Sequence, residues 1–336
     1  LIFQGTPARR VWGGVALLLL LGFAGVLPRA FAEEPAGKAP AAEDAKPEVL
    51  SLDDIEKRIT RAPWASRVAL ISRGFAILAG IVILFVGLWL AFDRRKTGGG
   101  APRAARTPPP CLFPPGQAFL LAAIGFLVVP ALVMAVFSGV RDDVGFRESA
   151  LALAIGGLPV ALLVVVRRAR ARMPRVGLPL AVVRGLEGFC VATVFVVPAG
   201  LLTMLLMDAM GQKPAAQELV SMMLTTEDES IPWTLLVFGV LIAPFTEEAI
   251  FRGLLYPAIR DAGPAGRAGA IRAAILVSGI FAVVHRSATA ALGLFCLALV
   301  LTWIYERTNS LLAIVITHGT NNLLSLVPLL LARHGI

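Results

Sequence analysis

What most constrains this chain is a series of long apolar runs, almost free of charge, broken by short polar segments. About twenty apolar residues carry a helix across the hydrocarbon core of a bilayer. The runs are continuous rather than alternating, which excludes a strand barrel. They predict spans at about Gly74–Phe92, Ala118–Val140, Ala150–Val166, Gly188–Met207, Trp233–Ala258, Ala273–His285, Ala290–Tyr305 and Leu311–Leu331. The expected fold class is all-α, a polytopic helical membrane protein of about eight transmembrane helices after an N-terminal signal segment. The composition agrees: 57% hydrophobic, 16% charged and a mean hydropathy of +0.80.

A formal charge of +9 raises the question of nucleic acid, and the positions of the charges answer it. Asp93-Arg94-Arg95-Lys96 and Arg167-Arg168-Ala169-Arg170-Ala171-Arg172 sit between apolar runs, as the positive-inside rule requires of cytoplasmic loops. The segment with Asp208, Glu218, Glu227, Asp228 and Glu229 falls on the opposite, outer side. The expected surroundings are a lipid bilayer and not a nucleic acid. Cys111, Cys190 and Cys296 form no C-x-x-C pair and read as small buried hydrophobes.

Residues 9–32 have the layout of a secretory signal. Arg9 and Arg10 precede the apolar stretch Val15–Leu27, and Ala30-Phe31-Ala32 offers a small-x-small cleavage site. Segment 1–32 is therefore a signal peptide or an uncleaved signal anchor. Residues 33–67 read as an exported polar linker with one helical piece, Ser51–Thr60, capped by Ser51. Residues 68–231 would hold about four spans, and residues 232–336 the remaining four.

Ionisable groups are costly in hydrocarbon, about 2.5–3.5 kcal/mol each on insertion scales. The first three expected spans carry essentially none in their cores. The last four carry Glu247, Glu248, Arg252, His285, His318 and Asn322. Glu248 and Arg252 are i and i+4, so they share a helix face and can pair. Glu247 lies roughly 100° away around the helix, which leaves one glutamate free for chemistry. Phe281 with His285, and His318 with Asn322, repeat the i, i+4 spacing on two further helices. Taken singly, each is as well read as an interhelical hydrogen-bonding residue.

Peptide hydrolysis needs a water, a base and donors for the oxyanion. A glutamate with a histidine can activate the water, and a second histidine with an asparagine amide can donate. Glu247, His285 and His318 also make an allowed zinc ligand set, so the cofactor is either none or a divalent metal such as zinc. No His-Glu-x-x-His, no Gly-x-Ser-x-Gly and no paired intramembrane aspartates occur.

At these residues the chain resembles the CPBP family of CAAX proteases and bacteriocin-processing enzymes, also called type II CAAX prenyl endopeptidases. The family pattern is Glu-Glu-x-x-x-Arg, then Phe-x-x-x-His, then His-x-x-x-Asn on successive membrane helices. Glu247, Glu248 and Arg252, Phe281 and His285, His318 and Asn322 match it in order, over roughly residues 232–331. The resemblance implies a CPBP-like intramembrane protease, often labelled a metalloprotease, with a conical cavity open toward the cytoplasmic side and the membrane. It implies that Glu247 and His285 activate water and that His318 and Asn322 form the oxyanion site, with Glu248 and Arg252 in support. The bacterial-looking signal departs from the prenyl-substrate members. It points to a membrane-anchored protein or peptide as substrate and to a bacterial cytoplasmic (inner) membrane. Two rival readings remain at this stage: a non-catalytic scaffold or immunity protein that keeps the fold, and a proton relay or transporter.

Overall fold

The computed structural model describes residues 50–96, 111–140, 145–171, 176–212, 214 and 218–336. All regular elements among them are helical. Eight helices are long and apolar enough to cross a membrane. The signal segment and most of the linker before Leu50 lie outside the described residues. The short helix expected there is α1 (Leu52–Arg61), and its N-cap is Ser51, whose hydroxyl accepts from the Asp54 backbone N–H at 3.2 Å. Then follow α2 (Pro63–Lys96), α3 (Pro115–Ser138), α4 (Phe146–Arg170), α5 (Leu178–Ala209), the short α6 (Glu218–Thr225), α7 (Ser230–Asp261), α8 (Arg267–Val284), α9 (Ala288–Thr308) and α10 (Leu311–Arg333). The protein is a multi-pass membrane protein. Phe75 and Phe85 are each 70% exposed on its outer face, a placement that only lipid makes cheap.

Two spans begin far earlier than the hydropathy implies. Helix α2 starts at Pro63 rather than Gly74, with proline at the first helical position, where its missing N–H costs nothing. This brings Arg73 inside a span that the sequence reads as free of charge. Helix α5 starts at Leu178 rather than Gly188, because Arg184 and Glu187 pair at 2.6 Å on one face and offset each other.

Three π-helical turns interrupt the spans: Ile124–Val128, Phe238–Ile242 and Phe251–Leu255. Each ends two residues before a proline: Pro130, Pro244 and Pro257. A proline inside a helix donates no hydrogen bond and its ring clashes with the carbonyl four residues back. A widened turn just upstream gives that carbonyl room. Two of the three bracket the segment Ala243–Ile250, which carries Thr246-Glu247-Glu248.

Helix α5 is the central post, packed against α2, α9 and α10, while α4 packs on Ala243–Ile250 of α7. Helix α10 approaches α7 closely at Gly319. A Cβ there would stand 2.7 Å from the Val240 carbonyl oxygen, so no larger residue fits without a shift. That contact sets the distance between the helix with both glutamates and the helix with His318. The α9–α10 turn is held by Asn309 in the left-handed region (φ 52°) and by Ser310, which caps α10. Arg168 from α4 donates to the Asn309 carbonyl at 2.8 Å and to the Tyr305 hydroxyl at 2.6 Å.

Candidate active site

Glu248 and Arg252, expected to pair, do so at 3.0 Å with both side chains fully buried. The second amino group of Arg252 donates to the Ala298 carbonyl at 2.9 Å, which ties α7 to α9. Its guanidinium also lies over the Phe281 ring, 5.0 Å from the centroid. Phe281 in turn stacks against both histidines, with ring centroids 4.5 Å from His285 and 5.8 Å from His318. The phenylalanine of Phe-x-x-x-His thus keeps water from the ion pair and fixes the planes of two imidazoles.

His318 is buried and its Nδ1 donates to Glu248 at 2.9 Å. The Nδ1 of His285 donates to the Phe281 carbonyl at 2.6 Å, one of the last four carbonyls of α8 and so without the usual helical partner. Both rings therefore turn Nε2 inward. Each Nε2 stands 3.9 Å from the same atom, Oε2 of Glu247. That oxygen is buried and has no hydrogen-bond partner. A separation of 3.9 Å is too long for a direct hydrogen bond and suits a small molecule bridging the groups at about 2.8 Å from each. The neighbouring glutamates differ in what they face: Glu248 gives Oε1 to both Arg252 and His318 and keeps Oε2 buried without a hydrogen bond, and Glu247 faces two imidazoles.

Asn322 lines the same cavity, four residues beyond His318. Its Nδ2 donates to the Gly239 carbonyl at 2.8 Å, in the π turn before Glu247, and its Oδ1 accepts from Asn321 at 3.4 Å. Asn321 is oriented from outside the C-terminal half. Arg73 of α2 donates to Asn321 Oδ1 at 3.3 Å and to the Ser325 hydroxyl at 2.6 Å. Sequence reasoning missed Arg73, because it precedes the apolar run, and Asn321, because it sits off the His318–Asn322 face. The signal was there: an arginine ten residues into any helix that starts at Pro63 lies well inside a span.

The cavity holding Glu247, His285, His318 and Asn322 has a volume of about 790 Å³. The resemblance implies an opening toward the basic, cytoplasmic side. Its lining includes buried Ile250, Phe251 and Leu255 of α7 and, from the acidic segment, Val220 of α6. Helix α8 stops at Val284, and His285 in the turn that follows lines the cavity.

The donor types fit a divalent metal: one carboxylate oxygen without a partner and two Nε2 atoms whose rings are fixed through Nδ1, the arrangement that metal-ligating histidines use. The spacing is wide. Ligands around tetrahedral zinc lie about 3.4 Å apart, against 3.9 Å here. Among the described residues no group of three such side chains is drawn in to metal-binding distance.

Residues 229–324 match a family model described as Type II CAAX prenyl endopeptidase Rce1-like. No curated protein and no solved structure matches the chain.

Proposed function

With residues 229–324 in the Type II CAAX prenyl endopeptidase Rce1-like family, a family of membrane-embedded proteases, we propose that this protein is a CPBP-type intramembrane endopeptidase of a bacterial cytoplasmic membrane. Its substrate is a membrane-anchored protein or peptide. The observation that carries the reading is the partnerless Oε2 of Glu247 facing two Nε2 atoms at 3.9 Å.

A water between these three atoms would accept a hydrogen bond from neither ring as long as Nε2 carries no proton, so it donates to His285 and to Glu247. Glu247 takes one proton, and the hydroxide adds to the scissile carbonyl. The oxyanion that forms lies near the second N–H of Asn322 Nδ2, the one not given to Gly239. Glu248 accepts from Nδ1 of His318 and so fixes that ring beside the reacting atoms. Glu247 then passes its proton to the leaving amine, and the peptide bond breaks. Arg73 acts through Asn321: it fixes which way both amides point. A divalent metal held by Glu247, His285 and His318 would polarise the same water.

The test is a comparison of protein termini in membranes carrying wild-type or Glu247→Gln protein at equal abundance. Specific termini that vanish in the variant support the reading and identify substrates. Matching profiles under conditions where the wild type has a phenotype would refute it. Retention of full activity after exhaustive chelation would remove the metal version alone.

A further inference from the structure

Resting on the protease reading, we propose that the active-site cavity is entered from the extracytoplasmic side, so that the substrates are the outer membrane-adjacent segments of anchored proteins. Two independent observations carry this. The first is the shape of the cavity. Its floor is sealed toward the basic loops by Ile250, Phe251 and Leu255, each no more than 2% exposed. Its wall along α10 rises from His318 past Ser325 to Leu329, away from the end of that helix that begins at Leu311. Along α5 it reaches Met204, which is 40% exposed near the Ala209 end. Ser287, in the turn between α8 and α9, completes this rim.

The second observation is charge. The ends that the cavity avoids carry Arg94, Arg95, Lys96, Arg167, Arg168 and Arg170, then Arg260 and Arg267. Short loops rich in Lys and Arg stay in the cytoplasm. The ends toward which the cavity opens carry fewer, Arg147, Arg286 and Arg333 among them, and join the segment with Asp208, Glu218, Glu227, Asp228 and Glu229. Helix α1 and helix α6 cap this same side. The Leu50 N–H donates to Ser221 at 3.0 Å, and Arg58 donates to the Leu224 carbonyl at 3.1 Å. A cavity lined mostly by apolar side chains takes an extended segment with apolar side chains on either side of the cut bond.

Single cysteines in a background lacking Cys111, Cys190 and Cys296 test the inference without reference to activity. Met204→Cys and Ser287→Cys probe the rim. Glu227→Cys is the exposed control on the acidic side, and Ala265→Cys, in the α7–α8 loop, is the control on the basic side. A charged, membrane-impermeant thiol reagent is applied to right-side-out and to inverted vesicles. The expected result is that both rim cysteines react in right-side-out vesicles together with Glu227→Cys, while Ala265→Cys reacts only in inverted ones. Rim cysteines that follow Ala265→Cys, or that react from neither side, would overturn it. The same labelling in a Glu247→Gln background separates a failure of this inference from a failure of the protease reading. Loss of catalysis leaves the labelling pattern intact.

Discussion

The four N-terminal spans and the four C-terminal spans solve the same solvent problem in different ways. Helices α2 to α5 carry few charges away from their ends, Arg73 in α2 and the Arg184–Glu187 pair in α5 among them. Helices α7 to α10 bury an arginine, a glutamate and a histidine completely or nearly so, and pair them with one another. Desolvating such groups costs several kcal/mol per ion, which the pairing offsets without surplus. The first half is thus a largely apolar frame packed around the second. The second spends stability on a fixed electrostatic arrangement, and Arg73 is a charge of the frame that reaches into it. Within the second half the contrast narrows to adjacent residues. Glu248 has partners on its shared oxygen, and the facing oxygen of Glu247 has none.

Removing the structural side of this contrast should have the largest effect. Arg252→Ala leaves Glu248 buried without its cation and should cost about 3–5 kcal/mol, read as loss of folded protein in membranes by limited proteolysis. Folding with near wild-type resistance would mean that the ion pair does not hold the two helices. Next, Asn322→Ala should lower kcat by about 10²–10³-fold, as loss of an oxyanion donor does, with KM little changed. A change confined to KM would make Asn322 a substrate-binding residue instead.

Arg73 sharpens the comparison between halves. Arg73→Ala should reduce kcat by about tenfold through the misoriented amides, an effect near the lower end for a charged hydrogen bond. Arg73→Lys, which can still reach one of the two acceptors, should recover part of it. Equal loss in both variants together with lowered thermal stability would reduce Arg73 to a packing residue. The smallest effect belongs to the outer cap. Asp228 is held below the usual carboxylate range chiefly by the Ser230 side chain and backbone N–H, with Arg147 adding to it. Glu229 is held down chiefly by the Arg333 side chain. Carboxylates held below their unfolded value stabilise the fold above that value and lose the contribution as pH falls through the folded one. Acidification below about pH 4 should therefore loosen this cap first, seen as faster hydrogen exchange at residues 226–230 than in the spans. Uniform exchange would show that these contacts contribute nothing.

The sequence made much of the candidate site legible because each motif is an i, i+4 pair, and a helix converts that spacing into a shared face. Glu248 with Arg252 needed nothing more. The difference in partners between the glutamates was legible for the same reason: one arginine reaches one face. The π turns were not, since a proline signals a disturbed helix without saying that the turn widens upstream of it. Nor was the use of Asn321, which depends on a residue in a distant helix. Nor was the extent of the cavity, which depends on how the helices pack, a tertiary property. Arg73 was hidden by hydropathy, which places a span where apolar residues are dense rather than where the helix begins.

The central claim is that Glu247 activates the hydrolytic water while Glu248 holds the structure. It is tested most directly by the rate at which a new peptide terminus forms on one identified substrate in reconstituted membranes. Equal amounts of folded wild-type and Glu247→Gln protein are compared. The account predicts a fall of about 10²–10⁴-fold with thermal stability unchanged. A Glu247→Gln protein that cleaves at the wild-type rate would contradict it.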